Sequence, residues 1–234
     1  MQAQSSHWIL ALHRVFEVVL GILMAIAVST LFFPDRARLR LKDGLAQEFL
    51  VLAALFEAIL QGYSGPPAEN LTTLREDALA RMRANNQLLD AARNEPSGGP
   101  GWREGLSMLS QFGRSILDAL IALEYSVKES HEDAYAQQIE PELSRLAVDI
   151  RTGFHHVASC IHNWKFHVPP PGISLEGDIE ILEARMNDVR PKGIEFSQAE
   201  ILRAYAVQLH LKQIARILRA SRVETSRAIG GGEV

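Results

Sequence analysis

Hydrophobic and polar positions divide the chain into one stretch with no polar face and several with a single apolar stripe. From Val15 to Phe33 the only charge is Glu17, and Val18–Phe33 carries none. A bilayer-crossing helix needs about 20 mostly apolar residues, so the run is long enough. Pro34 closes it, since proline has no N–H to continue the helical ladder. The pattern predicts a membrane segment at 1–34 with its span at about 15–33. A buried helix of a soluble domain is rarely apolar all round for this length. A cleaved signal peptide carries its positive charge ahead of the apolar core, whereas here the basic cluster follows it, despite the small residues Ala25 and Ala27.

Beyond Pro34 the spacing becomes that of amphipathic helices. In 36–61, Leu41, Leu45, Phe49, Leu52, Phe56 and Ile59 draw one stripe, ended by GYSGPP. A more polar helix follows over 68–93, then the loop PSGGPG. The next, over 102–129, places Leu106, Leu109, Phe112, Ile116, Leu120 and Leu123 on one side. The cleanest periodicity is in 134–166, through Leu143, Leu146, Ile150, Phe154, Val157, Ile161 and Trp164, with Pro141 starting or kinking that helix. PPPG breaks the chain, a short helix covers 175–189, and RPKG turns it again. Ser197 with Glu200 has capping-box spacing and opens a last helix with Ala204, Val207, Leu211, Ile214 and Leu218 inward.

No window alternates like an exposed strand, and no fixed-period repeat is present. Short Gly/Pro connections favour antiparallel neighbours. The fold expected is all-α: a single N-terminal transmembrane helix followed by a cytoplasmic antiparallel helical bundle over 35–220, with a disordered tail at 221–234.

Charge sharpens this picture. Residues 1–34 hold only Arg14 and Glu17, so the rest carries the whole net charge of −4. That part is large enough for a real core, and with no basic excess it is not expected to bind nucleic acid. Arg36, Arg38, Arg40 and Lys42 follow the span and only Arg14 precedes it, which puts the C-terminal side in the cytoplasm. The same cluster can touch anionic lipid headgroups. Glu17 has two readings: an intramembrane contact or pathway residue, or an interfacial residue paired with Arg14 on the same helix face. Gly21, one turn on, would let another helix approach closely.

Candidate chemistry is sparse. The lone Cys160 rules out an internal disulfide and fits a reducing compartment. His155, His156, Cys160, His162 and His167 lie close together, and His156 and Cys160 share a face. One helix offers no convincing tetrahedral set, so no metal and no cofactor is expected, with His156 and Cys160 as the only weak candidates. A Cys/His nucleophile would need an orienting group and an oxyanion site that nothing marks, and no phosphate-binding loop is present, so an enzyme is not expected.

The stretch RVFEVVLGILMAIAVSTLFFPDRARLRL, residues 14–41, resembles the last membrane helix of a repeat in the fusaric acid resistance (FUSC) or aromatic acid exporter family. Arg14, Glu17, Gly21 and Pro34 carry the likeness, followed by an Arg-rich start to a helical cytoplasmic domain. The resemblance implies a part in efflux of aromatic acids or small toxic organics, in a bacterial inner membrane. It departs from the family in having one membrane helix where members have several per repeat. A single helix cannot enclose a path, which implies a fragment of an exporter, or assembly as a homo-oligomer or with other membrane subunits. The competing expectation is a non-transporting single-pass scaffold whose bundle binds a protein partner.

Overall fold

The computed structural model describes residues 3–32, 36–66, 68–93, 100–128, 133–163, 174–189 and 196–230, and these hold seven α-helices and no strand. The chain falls into two compact units, Met1–Arg36 and Ala37–Val234.

The first unit is helix α1 (Ala3–Phe32). Its window Ala11–Val28 is long and apolar enough to cross a membrane, and none of it is buried. From Leu12 to Ile26 its large apolar side chains are 47% to 74% exposed, a surface that demands lipid or another apolar partner rather than water.

The second unit holds α2 (Arg36–Ser64, counted from its first turn), α3 (Leu71–Arg93), α4 (Pro100–Val127), α5 (Ala134–Asn163), α6 (Leu175–Val189) and α7 (Gln198–Gly230). The apolar stripes build its core. Leu41, Leu45, Phe49, Leu52, Phe56 and Ile59 of α2 are all buried, as are Leu143, Leu146, Ile150, Phe154, Val157 and Ile161 of α5. Helix α4 also has the length and hydropathy of a membrane span, but 44% of that window is buried. Leu106, Leu109, Ile116, Leu120 and Leu123 face the core, so α4 is an amphipathic core helix.

Specific contacts fix the directions. Asp43 lies 3.3 Å from His162, and Glu57 lies 3.1 Å from Arg151, so α2 and α5 run antiparallel. Ser110 bonds Asn86 and Arg75 bonds Glu124, which makes α3 and α4 antiparallel as well. Helix α6 runs back along α5, with Tyr135 Oη donating to the Met186 carbonyl at 2.9 Å and Arg145 meeting Asp178 at 2.8 Å. Helix α7 then runs parallel to α5. At its start Arg203 grips Asp133 through two bonds of 2.8 and 2.6 Å.

Helix boundaries show where local chemistry differs from the stripe. Helix α3 begins at Leu71, three residues after Ala68, because the Asn70 carbonyl accepts the first helical bond, from Leu74 N at 3.0 Å. Helix α4 starts at Pro100, inside the predicted loop, since proline suits a first helical position. Pro141 sits within α5 and does not start it. The Ser197–Glu200 capping box forms: Glu200 N donates to Ser197 Oγ and Ser197 N to the Glu200 carboxylate. Helix α7 continues to Gly230, where the sequence pattern ended it at Ala220 and predicted a disordered tail from 221. Ser221 and Thr225 are buried there, each hydroxyl donating to the carbonyl four residues earlier. Back-bonding of this kind lets a polar stretch face the core without an unpaired hydroxyl. Pro34, Trp164, His167, the PPPG and RPKG stretches and residues 231–234 lie outside the described residues.

Candidate functional site

Of the four membrane-motif residues, three are on α1 and Pro34 is outside the described residues. Arg14 and Glu17 are exposed, three positions apart and so on one side of the helix. Neither forms an ion pair among the described residues. A Cβ placed on Gly21 would meet nothing within 4 Å. The glycine leaves a bare strip on an apolar surface, where another helix could approach closely.

The basic cluster occupies the first two turns of α2. Arg38 is half-buried, Arg40 is exposed, and Lys42 lies 3.8 Å from Asp43. Nothing is described of the Arg36 side chain. The weak metal candidates are brought together: Cys160 Sγ lies 3.6 Å from His156 Nε2, and both side chains are buried. Among the described residues no group of three His, Cys, Asp or Glu converges on a point that could hold a metal.

A cluster that the sequence reading did not single out sits at the junction of α2, α3 and α4. Glu48 is 0% exposed, and Asn85 Nδ2 donates to its Oε2 at 2.7 Å. Its other oxygen, Oε1, is buried without a hydrogen-bond partner. Two glycines make the room. A Cβ on Gly113 of α4 would come within 2.1 Å of Glu48 Oε1, and one on Gly44 of α2 within 2.1 Å of Asn85 Oδ1. Burial pushes the Glu48 carboxyl up to about 7, against the opposing pull of the Asn85 bond and the Arg114 charge. Desolvation dominates because a buried carboxylate with one donor has lost most of its hydration. The bundle therefore holds, between three helices, a carboxyl group that exchanges its proton near neutral pH.

A signal for this cluster exists in the sequence. Glu48 stands three after Leu45 and four before Leu52. Asn85 stands three after Met82 and four before Leu89, and Gly113 stands four after Leu109 and three before Ile116. All three fall on apolar stripes, where a polar or missing side chain must face the core.

The family model described as the fusaric acid resistance protein family matches residues 5–229, which takes in α1 and nearly all of the helical unit after it. No curated protein and no solved structure matches the chain.

Proposed function

The chain belongs to the fusaric acid resistance protein family, and from that premise we propose that it is a membrane-anchored component of an efflux transporter for aromatic acids or other small toxic organics. The observation that carries the proposal is the extent of the match, from residue 5 to residue 229, over the apolar helix and the bundle together. In this reading α1 spans a bacterial inner membrane and the basic start of α2 holds the bundle on the cytoplasmic side. One helix encloses no path. The apolar surface of α1, open at Gly21, therefore packs against further membrane helices, from other copies of the chain or from partner subunits. Arg14 and Glu17 line or support that membrane core, since charges at membrane depth face protein or water rather than lipid.

Deleting the gene and measuring growth on a panel of aromatic carboxylic acids tests the proposal. Heightened sensitivity, restored by the full chain but not by Glu17→Ala or Arg14→Ala chains present at equal membrane abundance, is the expected result. Unchanged sensitivity across the panel refutes it. If the protein then still cross-links to itself or a partner in the membrane, the exposed apolar face of α1 serves instead to anchor a non-transporting scaffold.

A further inference from the structure

The bundle carries a second feature, remote in sequence from the membrane motif. Helices α6 and α7 line an open cleft of about 860 Å³, within the range of small-molecule sites. One arc of α7 supplies most of its charge: Lys212, Arg216, Arg219, Arg222 and Arg227 all line it. At 100° per residue these positions span well under half the circumference of the helix.

Most of these cations are already neutralised. Arg219 is paired with Glu176 and Lys212 with Glu183, both across the cleft on α6. Arg227 meets Glu224 at 3.6 Å on its own helix. Among the described residues Arg216 and Arg222 have no acidic partner, and Glu180 is the one lining carboxylate left without a cation. The remainder of the wall is mostly apolar, from Leu175, Ile179, Ala215 and Val223, with Ser174 and Ser226 adding two hydroxyls.

We propose that this cleft binds a phosphate monoester, its phosphate held by Arg216 and Arg222 and its organic part resting on Ile179 and Val223. Two guanidinium groups without counter-ions match a dianionic headgroup better than a single carboxylate, and the planar fork donates two parallel bonds to phosphate oxygens. The site is independent of any transport role. The same chemistry could be presented by a free metabolite or by the headgroup of an anionic lipid.

The test uses the full chain in detergent, titrated with AMP and separately with inorganic phosphate, by calorimetry. Saturable binding of AMP, with inorganic phosphate competing for the same site, is the expected result. The double variant Arg216→Gln/Arg222→Gln is expected to lose at least tenfold in affinity with an unchanged melting temperature. Because that variant could weaken binding by misfolding, Glu180→Gln is measured beside it. Removing the repelling carboxylate is expected to tighten phosphate binding at least twofold, which a damaged fold would not do. Floating the same proteins with vesicles of phosphatidylglycerol separates the sources. Vesicle binding that needs both arginines, with AMP silent, assigns the site to a lipid headgroup. No saturable binding of AMP, phosphate or vesicles, or binding indifferent to both changes, overturns the proposal.

Discussion

Replacing Glu48 by glutamine isolates the energetic consequence of one buried carboxyl. The native group holds its proton up to about pH 7, whereas the ordinary value of 4.5 describes the unfolded chain. Below pH 4.5 both states are protonated and the group contributes no pH dependence. As pH rises from 4.5 towards 7, the unfolded state gives up its proton first, so stability falls across this window and stays low above it. The difference is about 2.5 pK, and at 1.36 kcal/mol per pK the loss is about 3 kcal/mol. In Glu48→Gln the amide keeps an oxygen for the 2.7 Å bond from Asn85 Nδ2 but has no charge to desolvate. For a domain of this size 1 kcal/mol moves the melting temperature by about 2–4 °C, so the variant gains roughly 6–12 °C at about pH 8.5. At about pH 4.5 the two proteins are expected to melt within about 2 °C of each other. Thermal melts followed by circular dichroism between those two pH values, in one detergent, make the comparison. The informative quantity is the difference between the curves, because every other titrating group is common to both. Parallel curves, separated by the same amount at every pH, would refute the reasoning, since they would mean that Glu48 is charged throughout or solvated.

Other changes probe neighbouring features. Gly113→Ala forces a methyl group to 2.1 Å from Glu48 Oε1 and is expected to cost about 1–3 kcal/mol by chemical denaturation. In a Glu48→Ala background the same change is expected to stabilise by up to about 1 kcal/mol, through helix propensity alone. Ser197→Ala removes the acceptor for Glu200 N and is expected to cost about 1 kcal/mol, read from the same denaturation curves. Truncation after Ala220 removes the buried Thr225 and the last turns of α7, and a lower melting temperature is expected. An unchanged melting temperature would mean that residues beyond 220 add nothing to the core.

Much of the bundle was legible because its helices obey one rule. Stripes such as Leu41 to Ile59 and Leu143 to Ile161 repeat at helical spacing, and burial follows that spacing directly. Boundaries were less legible where a turn decided them, as at Asn70 and Pro100. The end of α7 is hidden in the sequence because Ser221 and Thr225 look solvated there, whereas in the structure their hydroxyls are satisfied by their own helix. Glu48 is inconspicuous in the sequence for a related reason. A carboxylate on a helix is usually a solvated face, and its burial depends on two glycines and an asparagine that lie on other turns and other helices.

The fit among Gly44, Glu48, Asn85 and Gly113 also constrains how this bundle can change over generations. A side chain at 113 requires the Glu48 carboxyl to shift or a shorter residue at 48, and a side chain at 44 requires the Asn85 amide to shift or a smaller residue at 85. A side chain added at 44 or 113 alone creates a close contact, whereas an isosteric change such as Glu48→Gln keeps the fit, and paired replacements restore a plain apolar layer. Among relatives these four positions are therefore expected to vary as a block. Where alanine replaces Glu48, the space at 113 is released, so the glycine there is expected to give way to a better helix former.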